Sequence, residues 1–294
     1  MSTYFAKKKC PECGQWQDPA LPVCPHCGHR EERFHDFDHQ FVLPFPIQLV
    51  FLGLTIVGLQ VLGLVVGVIL MIAYVAGHPG ADYAQIMAAI SEPWAAFTEN
   101  AVTYCLLAGT FVLVVGLRKK LPALFKTFAQ WKSLLAGVIG FGVLYGVTFL
   151  YGLAMEGIFT AAGMPIPGPN ENEILIRRIC MQFPVWSVLV FGLVGPFVEE
   201  MGYRVGLFGF LSRVRKPLAY ILTAFVFGFA HFGWSVMLEG DTNRMIVELV
   251  NIPTYVGAGA ILCFLYDRFG FSAAYTAHAL NNVLSIVLTL SGVQ

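Results

Sequence analysis

Apolar runs long enough to cross a bilayer occupy most of this sequence. A helix needs about 20 apolar residues to span roughly 30 Å of hydrocarbon. Such runs can be drawn near 45–75, 100–117, 133–160, 184–211, 217–238, 246–266 and 270–291, which makes about seven spans. The first run is long enough to be tilted or broken, and 171–183 has the length of a short interfacial helix, so an eighth crossing has room. Only 12% of the 294 residues are charged, against roughly 25% in an ordinary soluble domain. The hydrophobic share is 57% and the mean hydropathy +0.69, more than a single soluble core of this length needs to bury. The expected fold is an all-α polytopic membrane protein of about seven to eight transmembrane helices, embedded in a lipid bilayer. A formal net charge of +0 leaves no overall footprint for a phosphate backbone, so no nucleic-acid partner is expected. The 14% aromatic content excludes a disordered chain.

Charge is densest in residues 1–40, ahead of the first apolar run near Phe41. A run preceded by acidic, cysteine-rich sequence does not read as a cleaved secretory signal, so the N-terminus is expected to stay in the mature protein. Four of the seven cysteines form two knuckles, Cys10-Pro-Glu-Cys13-Gly and Cys24-Pro-His-Cys27-Gly. Each knuckle turns tightly enough to aim two thiolates at one ion, and Gly14 and Gly28 allow backbone conformations that a Cβ disfavours. The pattern predicts a zinc ribbon with Cys10, Cys13, Cys24 and Cys27 as ligands of a structural zinc. Paired disulfides fit a reducing compartment poorly, and free thiols leave the repeated knuckle unexplained. His26, His29, His35 and His39 are then solvated rather than ligating. A closed four-thiolate site offers no open position for substrate, so its task is to fold a module too small to build a core. A protein partner of the ribbon is one expectation that follows.

The division expected is a cytoplasmic zinc ribbon and linker over 1–40, N-terminal transmembrane helices over 41–130, and a catalytic membrane core over 131–294. Basic residues cluster at Arg118, Lys119, Lys120, Lys126 and Lys132, then at Arg213, Arg215, Lys216 and Arg268. The positive-inside rule places those loops and the N-terminus in the cytoplasm of a multi-pass plasma-membrane protein. Cys105, Cys180 and Cys263 read as buried structural thiols. Trp94, Trp131 and Trp186 read as interfacial anchors, the glycines of 133–163 as sites of close helix packing, and Glu156 and Glu248 as acids near enough to helix ends to reach the interface.

Polar residues inside the apolar runs gather at Glu199-Glu200-Met201-Gly202-Tyr203-Arg204, Phe227-Gly228-Phe229-Ala230-His231 and His278-Ala279-Leu280-Asn281-Asn282. Ionisable groups at such depth are costly unless paired or wetted, which makes them functional candidates. A rise of about 1.5 Å per residue puts Glu199 roughly 18 Å in from the cytoplasmic end, His231 roughly 21 Å, His278 roughly 12 Å and Asn282 roughly 18 Å. Glu200 and Arg204, four residues apart, share a face and can neutralise one another. Glu199 is rotated by about 100° and has no partner in its own helix, as a general base would need. His278 and Asn282, again four apart, present two donors suited to an oxyanion. Gly195-Pro196 is expected to kink the helix just before the glutamate pair.

These three ordered motifs resemble those of the CAAX protease and bacteriocin-processing (CPBP, or Abi) family, intramembrane endopeptidases that include the type II CAAX prenyl endopeptidases. The likeness covers roughly residues 130–291 and leaves out the ribbon; Tyr203 stands where a Phe often precedes the Arg. The resemblance implies that Glu199 and His231 activate the attacking water, that His278 and Asn282 form the oxyanion site, and that Glu200 and Arg204 support that geometry. It implies a substrate that is a membrane protein or peptide, lipidated or unmodified; the core is expected to open toward the cytoplasm. Although the family is often labelled metalloprotease, Asn282 is a poor zinc ligand, and the metal-free glutamate mechanism is the reading favoured. Two alternatives stand beside the peptidase: a non-catalytic scaffold of the same fold, and a proton- or ion-coupled transporter.

Overall fold

A computed structural model describes residues 8–10, 12–18, 21, 23–29, 41 and 43–292. His35, His39 and the linker residues 30–40 lie outside the described residues. Eleven helices follow one another among the described residues: α1 (Phe45–Gly77), α2 (Tyr83–Ile90), α3 (Pro93–Leu117), α4 (Leu121–Phe128), α5 (Trp131–Ala161), α6 (Glu171–Gln182), α7 (Pro184–Leu211), α8 (Lys216–Ala230), α9 (Val236–Glu239), α10 (Thr242–Phe269) and α11 (Phe271–Ser291). Six of them, α1, α3, α5, α7, α10 and α11, are long and apolar enough to cross a membrane, and the protein is an integral membrane protein. The first run is a single rod that widens into a π-turn over Leu54–Gly58 instead of breaking, and the short helix expected over 171–183 is α6.

The fifth run, drawn over 217–238, departs from expectation. Helix α8 has 15 residues, roughly 22 Å of rise, and falls short of the hydrocarbon thickness. The chain stops being helical at His231 because tertiary partners take the backbone: Asn170 Nδ2 donates to the His231 carbonyl at 3.1 Å, and the Gly233 N–H donates to Glu248 at 2.8 Å.

Helix α7 is the central element. In its most apolar stretch 56% is buried, against 11–33% in the other five. It contains two π-helical stretches, Val188–Val194 and Glu200–Phe208, on either side of Pro196. Proline has no N–H to give, so the α-helical ladder cannot run unbroken through it, and wide turns accommodate the gap. Helix α1 lies against the second wide stretch on a track of small residues. A Cβ at Gly202 would collide with Thr55, one at Gly206 would stand 3.0 Å from the Leu52 backbone nitrogen, and one at Gly209 would stand 2.5 Å from Gln48 Nε2. Phe51, Leu107, Phe111, Val198 and Met201 fill this seam. Between segments that already sit in lipid, such close packing supplies the attraction that the hydrophobic effect supplies in water.

Of the glycines in 133–163, Gly137 and Gly140 pack closely, against Thr276 and Leu265, while Gly142, Gly146, Gly152 and Gly157 have no neighbour within 4 Å. The packing expectation therefore holds for one face of α5 only. Trp131 and Trp186 are exposed at the starts of α5 and α7, as anchors should be.

The small module pairs two antiparallel strands, β1 (Lys8–Lys9) and β2 (Trp16–Gln17), with Lys9 opposite Trp16. It meets the membrane part where Asp18 Oδ2 lies 2.7 Å from Arg213 Nη1. Arg213 also donates to Gln48 Oε1 at 2.9 Å and to the Leu43 carbonyl at 3.1 Å, so the module is tied to the end of α7 and the start of α1.

Candidate active site

The two knuckles have matching backbones: the Gly14 and Gly28 N–H groups donate back to the Cys10 and Cys24 carbonyls, and both glycines have positive φ, 68° and 74°. The four sulfurs lie within 4.8 Å of one another, with Cys10–Cys27 and Cys13–Cys24 each 3.7 Å apart. Sulfurs around a tetrahedral ion at about 2.3 Å stand roughly 3.8 Å apart, so the donor set fits a divalent thiophilic metal. The thiols are also poised unequally. Burial pushes the Cys24 thiol up, but the N–H groups of His26 and Cys27 and the thiols of Cys13 and Cys27 outweigh it and hold the group at about 7. For Cys27 the His29 N–H favours the thiolate, yet burial and the three neighbouring sulfurs push it up to about 12. Four adjacent thiolates cannot coexist without a cation between them. Among the described residues this is also the one group of three or more Cys, His, Asp or Glu ligand atoms close enough to share an ion.

The membrane core brings the three polar motifs together around a cavity of about 1470 Å³, whose walls include Glu199, His231, His278 and Asn282. Tyr151, Asn251, Ile166, Pro169 and Trp234 also line it. Arg118, Arg213 and Arg268 do not line it.

Glu200 and Arg204 pair as their spacing predicts, Oε2 to Nε at 3.2 Å, with neither side chain exposed. The guanidinium also lies 4.4 Å from the centre of the Phe227 ring, a cation–π contact that is strong where water is excluded. Phe227 packs as well against His231 at 4.8 Å and against His278 at 5.7 Å between ring centres. The sequence motif contained this phenylalanine, but spacing gave no hint that it is the common wall of both imidazoles and the arginine.

His278 bridges the two glutamates. Its Nδ1 is 2.9 Å from Glu200 Oε1 and its Nε2 is 3.7 Å from Glu199 Oε2. Glu199 Oε1 accepts from the Tyr104 hydroxyl at 3.1 Å, while Oε2 has no hydrogen-bond donor of good geometry among the described residues. Tyr104, on α3, is a partner that the sequence reading missed, because nothing in a lone tyrosine on an apolar helix marks it. At His231 the ring Nδ1 is 2.8 Å from the Phe227 carbonyl. A carbonyl can only accept, so Nδ1 carries the proton and the lone pair is on Nε2.

Asn282 is positioned by the proline. In a π-helical turn the Phe191 carbonyl looks for the N–H of residue 196, which is proline and has none. Asn282 Nδ2 donates to that carbonyl at 3.0 Å instead, which leaves the second N–H of the amide free for another acceptor. Glu248 contradicts its expected place at the interface: it is 1% exposed and accepts backbone N–H groups from Glu171 and Gly233, each at 2.8 Å. His26 is exposed, and the half-buried His29 has its Nδ1 3.9 Å from Glu12 Oε1.

Over 154 residues, 52% of its length, the chain is 25% identical to the UPF0177 protein YvdC of Lactococcus lactis subsp. lactis (strain IL1403), of which the alignment covers 52%. The chain thus spans about half the length of the curated relative it matches. No solved structure matches the chain. Residues 181–284, the stretch that contains Glu199, Glu200, Arg204, His231, His278 and Asn282, match the family of the type II CAAX prenyl endopeptidase, Rce1-like.

Proposed function

We propose that this protein is an intramembrane endopeptidase that hydrolyses a peptide bond of a membrane protein or peptide. The observation that carries the reading is the shared cavity wall of Glu199, His231, His278 and Asn282, in a stretch that matches an endopeptidase family. Water is the nucleophile: its proton passes to Glu199 Oε2, with the His231 Nε2 lone pair orienting or sharing that proton, while the oxygen adds to the scissile carbonyl. The negative charge that develops on the carbonyl oxygen is met by the free N–H of Asn282. His278, on the same cavity wall, can add a second donor through Nε2. Collapse of the tetrahedral intermediate breaks the C–N bond, and the proton held on Glu199 goes to the leaving amine. Asn282 is a poor zinc ligand and suits an oxyanion donor better, which supports direct activation of water over a metal-bound route.

The four thiols hold a structural zinc in this reading, and the ribbon faces the cytoplasm of a plasma-membrane protein with the basic loops on the same side. The division into a ribbon and linker over 1–40, N-terminal helices over 41–130 and a peptidase core over 131–294 follows the same reading. Comparing protein termini in membranes that carry wild type or Glu199→Gln at equal expression tests it. New termini that depend on Glu199 identify the activity and its substrates, whether lipidated or not; identical sets of termini with the substrate present refute it.

A further inference from the structure

We propose that Glu248 is a positioning residue that, with Asn170, fixes the His231 imidazole by clamping the chain just after α8. The inference rests on the peptidase reading for its catalytic consequence, though not for its geometry.

His231 is the first residue beyond α8: its N–H still donates to the Gly228 carbonyl at 3.1 Å, but no further helical turn holds its carbonyl. Four restraints replace the ladder. The ring Nδ1–H donates to Phe227 O at 2.8 Å, and the ring stacks on Tyr255 at 4.5 Å with planes 13° apart. The carbonyl of His231 accepts from Asn170 Nδ2 at 3.1 Å. Two residues on, the Gly233 N–H is held by Glu248 Oε2 at 2.8 Å.

Each restraint is itself anchored. Glu248 Oε1 accepts the Glu171 N–H at 2.8 Å, so one carboxylate joins the His231 segment to the first turn of α6. Asn170 caps the same helix through Oδ1, which accepts the Glu173 N–H at 3.0 Å and lies 3.4 Å from the Tyr255 hydroxyl. Tyr255 and Glu248 are seven residues apart on α10, two helical turns, and so present one face to the clamp. Glu248 and Asn170 are only 1% and 2% exposed. Among the described residues Glu248 has no basic partner within ion-pair distance; its charge is met by two backbone N–H groups and by the positive end of α6. Residue 233 must be small, because a Cβ there would stand 2.9 Å from Glu248 Oε1 and 3.1 Å from Glu171 Cβ. A charge buried for stability alone is poorly used, since an apolar side chain of the same volume commonly serves as well or better. What this charge does is set the direction in which His231 leaves α8.

The test uses the full chain in lipid nanodiscs, labelled with ¹⁵N-histidine, as wild type, Glu248→Gln, Glu248→Asp and Asn170→Ala, with His231 assigned by the signal lost in His231→Gln. Gln keeps the volume but turns an N–H toward a backbone N–H, so the His231 spectrum should change from the single Nδ1–H tautomer to a mixture. Turnover of a Glu199-dependent substrate should fall by about ten- to a hundredfold with KM changed less than about twofold, and the pH profile should shift. Glu248→Asp, which can still reach one of the two N–H groups, should recover part of both. An unchanged His231 spectrum and an unchanged kcat in folded Glu248→Gln overturn the proposal. If Glu248→Gln does not fold, Asn170→Ala removes the other restraint and is held to the same two readouts, an unchanged result again overturning it. Cleavage that persists in Glu199→Gln defeats the peptidase reading instead, and the His231 spectrum still decides the clamp.

Discussion

Removing Arg204 while Glu200 stays, or the reverse, should destabilise the membrane core far more than removing both. The two groups are wholly buried with Nε and Oε2 3.2 Å apart; at an effective dielectric of about 20 their attraction is about 5 kcal/mol. Most of that offsets the cost of taking both charges out of water, so the quantity that shows is the penalty for stranding one of them, about 3–5 kcal/mol. Arg204→Met strands Glu200, although His278 Nδ1 still donates to it. Glu200→Leu strands the guanidinium and also leaves His278 Nδ1–H without its acceptor, a further cost of about 1–3 kcal/mol. The double variant should recover the charge penalty and retain only the His278 term. Unfolding by SDS titration in mixed micelles, run on the four proteins of the cycle, reads the coupling directly. Single losses below about 1 kcal/mol, or losses that simply add in the double variant, would refute the view that the pair is one buried unit.

Asn282→Ala should lower kcat by about a hundredfold with the loss of an oxyanion donor, and should also cost about 1–3 kcal/mol of stability because the Phe191 carbonyl loses its partner. Adding Pro196→Ala supplies a backbone N–H to that carbonyl, so stability should return while the rate does not; recovery of both would mean that Asn282 acts only through the carbonyl. Gly206→Ala should loosen α1 from α7 at a cost of about 1–3 kcal/mol, measured in the same titration, whereas Gly142→Ala, which meets nothing within 4 Å, should be neutral or slightly stabilising. Zinc loading of the metal-free protein at pH 7 should release about two to three protons, because Cys27 at about 12 and Cys13, raised above 9.0, are protonated there and Cys24 at about 7 is half so. The release should fall as pH rises through 7. Calorimetry in buffers of different ionisation enthalpy counts the protons, and a count near zero would show that the thiols are already ionised.

Periodicity and spacing were sufficient wherever one helix decides the outcome. The Glu200–Arg204 pair is a property of four-residue spacing, and the knuckles are a property of Cys-x-x-Cys with glycine behind it, so both could be read directly. What the sequence could not convey is which carbonyl needs a donor across the bundle. Asn282 on Phe191, Tyr104 on Glu199 and Asn170 on His231 each join residues at least sixty positions apart, and no local pattern encodes such a pairing. Glu248 is different, because the signal was present: an acid within an apolar run is a functional candidate by default, and nearness to a helix end was given too much weight. The early end of α8 was hidden for a related reason, since Phe232, Trp234 and Val236 prolong the apolar run after the backbone has left the helix.

The deep burial of α7 also bears on how the site responds to the membrane around it. Bilayers differ in thickness by several ångströms, and a helix facing lipid answers by tilting or by drawing lipid toward it. Here that adjustment falls on α1, α3 and α5, whose walls are mostly exposed, whereas α7 touches mainly protein. The two glutamates therefore ride on a post that the bilayer can reach only through other helices, and changing acyl-chain length should alter the tilt of the outer helices well before it alters the spacing of Glu199, Glu200 and His278.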